Sequence, residues 1–383
     1  MMKKQKLAII GASYLQLPLI QSAKRRGIET HVFAWQCGDV GEKEADFFYP
    51  ISTVEKEQIL DECRRIGIDG ICSIASDLAM ITVNYVAEQM GLVGNSMACT
   101  AVSTNKHKMR KCFEAHGDPS PKSLCVRSGK ELDGVPLNYP VIVKPVDRSG
   151  SRGITKLMDG SGLEEAISRA MDQGFEKCAL VEEFVTGEEY SVEFLSWQGE
   201  HHFLAMTRKF TTGAPGYIET AHLEPAGVDE ETERRAVNIV RHALTSLGIQ
   251  YGASHSELKI AEDGQIKLIE IGGRMGGDCI GSNLVRLSTG VDFVNAVIDV
   301  ALGIRPVIEK QTGGAAAVRF IFSQKDVEVL NILKKTHPQW LVEENIHDIT
   351  SAKVTDSSAR FGYFILKAPS AEELMPYLPE MRA

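Results

Sequence analysis

Two glutamates on neighbouring strand-like segments constrain the fold of this chain more than any other feature. Ser256–Ile260 and Ile266–Ile271 alternate in part as strands do, and Asp263-Gly264 lies between them. Asp-Gly is a favoured two-residue turn of an antiparallel hairpin. With those two residues in the turn, Glu262 faces Gln265, Ile260 faces Lys267 and Glu257 faces Glu270. Cross-strand partners project to the same side of a sheet, where like charges are destabilising. A cation between them removes the penalty, and paired carboxylates suit Mg²⁺, which takes one or two carboxylates plus substrate phosphates. The alternative is a solvated hairpin face screened by Lys259 on the same side.

A chain of 383 residues has room for two to four domains at about 100–200 residues each. Over residues 1–100, short apolar runs (Leu7–Ile10, Thr30–Phe33, Gly70–Ile74) alternate with helical patterns (Leu15–Arg26, Val54–Ile66, Leu78–Met90). That alternation predicts a parallel sheet with helical crossovers, a Rossmann-like domain. The turn after the first run, Gly11-Ala12-Ser13-Tyr14-Leu15-Gln16, lacks the second and third glycines of a dinucleotide fingerprint. Ala34-Trp35-Gln36 after the second run supplies no acid for a ribose. A basic helix is expected over Ser103–Ala115, then a connector at Gly117–Pro121. Mixed strands and helices run to about Gly303, and Ile304-Arg305-Pro306 marks a further boundary before a small α+β lobe. The predicted fold class is therefore α/β and α+β in three parts, 1–100, 101–305 and 306–383.

The net charge of −9 disfavours nucleic acid as the main partner. No apolar run approaches the ~18 residues of a membrane span, and polar residues interrupt any signal-peptide core near the start. A cytoplasmic protein is expected. The eight cysteines show no C-x-x-C pair and read as reduced thiols packed as small hydrophobes.

Three further segments carry chemistry. Ile271-Gly272-Gly273-Arg274-Met275-Gly276-Gly277-Asp278 follows Glu270 directly, so backbone can approach a ligand closely and Arg274 can grip carboxylate or phosphate. Asp147-Arg148-Ser149-Gly150-Ser151-Arg152-Gly153 follows the strand Val141–Pro145, and Lys144 leaves that strand toward the same loop. Such a loop can cover phosphates, although it is no P-loop and an ordinary turn reads equally well. Ala179–Val192 runs as an apolar strand into acids, a glycine and a second strand. Its backbone could pair with an adenine edge and a carboxylate could accept ribose hydroxyls; a charged hairpin is the alternative.

In their order along the chain, Lys106, V-K-P with its glycine loop, V-E-E-F-V-T-G-E-E-Y-S-V, H-S-E and L-I-E-I-G-G-R resemble an ATP-grasp enzyme across about residues 1–305. Glu270–Val294 and Gly213–Pro225 look most like the L-amino-acid ligase branch. The resemblance implies an ATP-dependent carboxylate–amine ligase that passes through an acyl phosphate, using ATP with Mg²⁺ or Mn²⁺. It implies that Lys106 and Lys144 bind phosphates and that Ser149, Gly150, Ser151 and Gly153 cover them. Glu182, Glu183, Phe184 and Val185 would meet adenine, and Glu189 the ribose. Glu257 and Glu270 would ligate metal, with Arg274 and Lys144 acting on the transferring phosphoryl group. Glu219, His222, Arg274, Gly276, Gly277 and Asp278 would face the substrates, a carboxylic acid and an amine. A homodimer is compatible with the resemblance. In one respect the chain departs from it: many relatives have Asn two residues after the second Glu, where Gly272 stands here. A second Mg²⁺ would then lean on water and phosphate.

Other readings stand beside this one. Within the superfamily, a glycinamide-ribonucleotide-type synthetase or a biotin-carboxylase-like enzyme would carry the same motifs. Outside it stand an NAD-dependent dehydrogenase and a non-catalytic ATP-binding regulator. His255-Ser256-Glu257 also matches the H-x-E of zinc deaminases, but no P-C-x-x-C follows.

Overall fold

The computed structural model describes residues 4–148, 150, 152–214, 216–311, 313–350 and 353–380. Ser149 and Ser151, expected in the phosphate-covering loop, lie outside the described residues.

Strands β1 (Lys6–Ile10), β2 (Glu29–Phe33), β3 (Phe47–Tyr49) and β4 (Gly70–Cys72) form a parallel sheet in the order β3-β2-β1-β4. Successive side chains of a strand point to opposite faces, and β1 is apolar on both. Leu7 and Ile9 pack with Leu19 and Ile20 of α1 (Leu17–Arg25), whereas Ala8 and Ile10 pack with residues of two later helices. After α2 (Val40–Glu44), these are α3 (Lys56–Ile66) and α4 (Asp77–Met90). Ser76 caps α4, its side chain accepting from the Ala79 amide, so Asp77 sits in the first turn, where the helix dipole favours an acid.

The basic helix expected over Ser103–Ala115 begins at Lys106: α5 (Met97–Ser103) ends at Ser103, and α6 (Lys106–His116) carries the basic residues. Asn105 breaks the run: it is extended at φ −128°, and its side chain accepts from the Lys108 amide. Lys106 thereby becomes the first residue of α6, four positions before Arg110 and on the same helix face.

Strands β5 (Ser123–Val126), β6 (Val141–Pro145), β7 (Thr155–Leu157) and β8 (Ala179–Glu183) form an antiparallel sheet in the order β5-β8-β6-β7. It is backed by α7 (Leu163–Gln173) through Ala166, Ile167 and Ala170. Cys125 and Cys178, expected as free thiols, are joined as a disulfide across this sheet, with Cα atoms 6.5 Å apart. That separation is within the reach of a bridge.

The largest sheet contains β9 (Glu188–Trp197), β10 (Glu200–Thr211), β11 (Glu219–Glu224), β12 (Gly252–Ile260), β13 (Ile266–Gly272), β14 (Ala315–Phe320), β15 (Leu341–Ile346) and β16 (Gly362–Ala368). Its order is β13-β12-β9-β10-β11-β14-β16-β15. Helix α8 (Glu230–Ser246) packs Ala236, Val240 and Leu244 on Val192, Phe194 and Leu258. The strands after residue 306 are not a separate sheet: β14 pairs with β11 from Ala221↔Arg319 to Glu224↔Ala316. Helix α9 (Val285–Thr289) follows the glycine-rich segment, and α10 (Phe293–Ala301) packs back onto the first sheet, where Phe293, Val297 and Ile298 share a core with Leu7 and Ile9. Helix α11 (Gln324–Thr336) covers the far end through Leu330 and Leu333. Among the described residues, no helix is long and apolar enough to cross a membrane.

The hairpin differs from the sequence expectation in two places that cancel. Ala261 pairs with Gln265 (N···O 2.9 Å), so the loop is Glu262-Asp263-Gly264, with Gly264 at φ +78°. This is a three-residue hairpin ending in a left-handed glycine rather than a two-residue turn. It shifts the register by one, giving Lys259↔Lys267 and Leu258↔Leu268, and a bulge at Ile269 then restores Glu257↔Glu270.

Candidate active site

A cavity opens between the two antiparallel sheets. Lys106, Lys144, Gly150, Glu182 to Val185, Glu189, Lys209, Glu219, His255, Glu257, Glu270, Gly272 and Arg274 all contribute to its wall. Strand alternation explains part of this convergence. Glu189, Lys209 and Lys259 share one rung of the sheet, while Glu257 and Glu270 share another two residues along β12.

Each hairpin glutamate is capped by a lysine. Lys106 Nζ donates to Glu270 Oε1 at 2.7 Å and to the Arg148 carbonyl at 2.7 Å. Lys209 Nζ donates to Glu257 Oε1 at 2.6 Å, and lies 2.9 Å from Glu189 Oε1 and 3.8 Å from Glu219 Oε1. Burial alone would raise the Glu257 carboxyl, but Lys209 and His255 hold it well below the usual range. Burial likewise opposes the charge on Lys209, yet Glu257, Glu189 and Glu219 keep its ammonium firmly protonated. Among the described residues, no group of three or more His, Cys, Asp or Glu forms a closed metal cage. The donor set still fits Mg²⁺, because paired carboxylates whose present partners are cations suit an ion that takes its other ligands from phosphate and water.

Behind Glu257 lies a buried relay. His255 hydrogen-bonds Glu193 through Nδ1, and its Nε2 is 3.4 Å from Glu257 Oε1. Burial opposes protonation of His255, but Glu193 outweighs it and lifts the imidazole to about 9. The Gly276 amide donates to Glu193 Oε2 at 3.1 Å, and a side-chain carbon at Gly276 would lie 2.8 Å from His255 Nδ1. Gly276 thus approaches the relay through its backbone, while Gly277 faces Ala75.

Glu182, expected at adenine, is buried between two cations and contributes to the cavity wall. It pairs with Lys144, and Arg110 Nε donates to its Oε2 at 3.1 Å. Burial depresses the Lys144 ammonium and Glu182 only partly offsets this. Glu183 pairs with Lys267. Phe184 has Lys156 Nζ 3.6 Å above its ring centre, and its amide donates to Pro140 O at 3.1 Å. Glu183, Phe184 and Val185 all reach the cavity, as does Gly150.

Arg274 is held by a residue of the first domain. Its Nε and Nη2 donate to Asp77 Oδ1 and Oδ2, each at 3.0 Å. Gly272 makes room for that fork: a Cβ there would lie 2.5 Å from Asp77 Oδ1. Asp278 is bound in the same way by Arg360, and Ser357 Oγ donates to Glu219 Oε2 at 3.0 Å. His222 is buried against Phe320, its Nδ1 without a partner among the described residues, and burial lowers its imidazole to about 3.

Sequence reasoning did not single out Asp77, Lys209, Glu193, Ser357 or Arg360 for the site. Arg110 carried a readable signal, its four-residue spacing from Lys106. The others gain their roles only from pairing across the sheets.

Residues 137–282 match the ATP-grasp domain family. The chain is 27% identical over 268 residues to alanine–anticapsin ligase of Bacillus subtilis (strain 168), covering 64% of this chain and 56% of that one. It is 26% identical over 255 residues to D-alanine–D-alanine ligase of Chromohalobacter salexigens, covering 64% and 74%. The crystal structure of L-amino acid ligase from Bacillus licheniformis superposes with a TM-score of 0.81 at 25% identity, covering 98% of this chain and 96% of that one. The match to the alanine–anticapsin ligase spans little more than half of that relative's length.

Proposed function

We propose that this chain is an ATP-dependent carboxylate–amine ligase that joins two small molecules, of the amino-acid or dipeptide class, through an acyl phosphate. The observation that carries the reading is the facing pair Glu257 and Glu270, each held by a lysine in one cavity with Arg274.

The substrate carboxylate attacks the γ-phosphate of ATP, giving an acyl phosphate and ADP. The amine then attacks the acyl carbon and phosphate leaves. Charge moves onto the phosphoryl oxygens and back, so catalysis rests on positioning and electrostatics rather than on a side-chain nucleophile. Lys106 and Lys144 bind phosphates. Arg274, its plane fixed by the Nε and Nη2 bonds to Asp77, presents its remaining N–H groups to the acyl phosphate. Glu257 and Glu270 would hold Mg²⁺, with Mn²⁺ as a substitute, which supplies charge neutralisation at the phosphates when bound. The segment Glu183–Val185 gives backbone and an aromatic ring to the base, and Glu189 accepts from the ribose. Glu219, His222, Gly276, Gly277 and Asp278 border the acid and amine.

Replacing Glu270 by Gln keeps the side-chain volume and removes the charge. ADP formation, assayed with ATP and pairs of amino acids, should fall by at least about a hundredfold while the circular dichroism spectrum is unchanged. Full activity in this variant would sink the metal role and the reading with it.

A further inference from the structure

The segment between β15 and β16 reaches Glu219, a residue of the cavity wall, through Ser357. Arg360 stands between β15 and β16, and its side chain is only 5% exposed. Nη1 and Nη2 each donate to one oxygen of Asp278 at 2.8 Å, and Nε donates to the Ser357 carbonyl at 2.7 Å. The guanidinium lies 3.7 Å from the centre of the Phe320 ring, whose plane also meets the edge of His222. Nη1 additionally approaches the Glu219 carbonyl at 3.5 Å. Two acids therefore depend on one short segment, Asp278 through Arg360 and Glu219 through Ser357.

Asp278 is held against a backbone preference. It has φ +48°, and Cys279 after it has φ +66°. Left-handed conformations at non-glycine residues are uncommon and persist where surrounding contacts impose them. The Arg360 fork is such a contact. It also leaves Asp278 partly available: a carboxylate offers about four acceptor sites, the fork fills two, and the side chain remains 23% exposed.

We infer that Arg360 is a positioning residue for substrate recognition: with Ser357 it holds Asp278 and Glu219 as paired acceptors for an N–H-bearing group, an ammonium, on the substrate. This inference rests on the ligase reading. Arg360 neutralises Asp278 and Lys209 Nζ lies 3.8 Å from Glu219, so an ammonium would meet two acids that are already oriented and keep acceptor sites to offer. A substrate lacking the ammonium forgoes the remaining acceptor sites of Asp278 and Glu219, and sites built on hydrogen bonds reject such analogues strongly.

The test uses the full chain with ATP and Mg²⁺. Phosphate release is measured on the best pair from the twenty standard L-amino acids, and on the same pair with each partner in turn replaced by its analogue lacking the amino group. The amine partner's analogue serves as the blank. In the unaltered protein the acid should outpace its analogue by at least about a hundredfold in kcat/KM. Arg360→Met should shrink that ratio to about tenfold or less, through a raised KM for the amino acid with KM for ATP unchanged. Arg360→Lys, which keeps the charge but not the fork, should restore part of the ratio. Ser357→Ala should move it in the same direction as Arg360→Met, and it carries the test if Arg360→Met fails to fold. An undiminished ratio in Arg360→Met or, failing that, in Ser357→Ala overturns the inference while leaving the ligase reading intact. An equal rise in KM for ATP also overturns it. Absence of phosphate release with every pair in the unaltered protein overturns both.

Discussion

At the scale of single residues, Gly272 and Asp77 behave as a matched pair. The carboxylate that locks Arg274 occupies the space that any side chain at position 272 would enter. Gly272→Ala should therefore destabilise the protein by about 1–3 kcal/mol, read by urea denaturation. The same change in an Asp77→Ala background should cost clearly less, since the double variant removes the clash. Glu224 offers a second reading. It is buried and accepts from Thr207 Oγ1 at 2.7 Å and Ser288 Oγ at 2.5 Å; burial nevertheless lifts its carboxyl from 4.5 to about 8. A carboxyl raised on folding contributes stability that is complete below its unfolded value and is lost as pH rises toward its folded value. Between pH 5 and 8 the protein should thus lose stability relative to Glu224→Gln, at up to about 1.4 kcal/mol per pH unit, in parallel denaturation series. Neither Asp77 nor Arg360 could be read beforehand, because each takes its meaning from an arginine or aspartate far away in the chain.

At the scale of elements, the hairpin shows both the reach and the limit of pattern. Alternation and a turn signal were enough to place Glu257 opposite Glu270. They were not enough to reveal that a longer loop and a bulge at Ile269 produce that pairing together. A bulge leaves one residue unpaired, and here the freed Ile269 carbonyl accepts from Arg110 Nη2 at 2.6 Å. The break before α6 was also missed, since helical periodicity continues through it and only the Asn105 cap interrupts. Asn105→Ala should lower stability by about 1 kcal/mol. Because Lys106 is the first residue of that helix, the variant should also weaken ATP binding in isothermal titration calorimetry, whereas the cap substitution Ser96→Ala on α5 should affect stability alone.

At the scale of the whole molecule, the three parts expected from the sequence share their cores. Helix α10 closes one face of the first sheet, and β14 continues the largest sheet past the expected boundary. Composition gives no sign of either, because both depend on which surfaces meet. A chain ending at residue 305 should aggregate instead of folding. It would bare the edge of β11 and strip Phe210, Ala221 and Leu223 of Ala315, Ala317 and Leu366. Size-exclusion chromatography of that truncated chain checks this.

The lysine caps on Glu257 and Glu270 have a thermodynamic consequence for the order in which ligands arrive. A nucleotide arriving alone draws Lys106 toward its phosphates and strands Glu270; a divalent ion arriving alone takes Glu270 from Lys106, whereas Lys209 keeps Glu189 at 2.9 Å. Only together do the two leave every charge partnered. Nucleotide and ion should therefore bind with strong positive cooperativity, each sharpening the affinity of the other by the same factor.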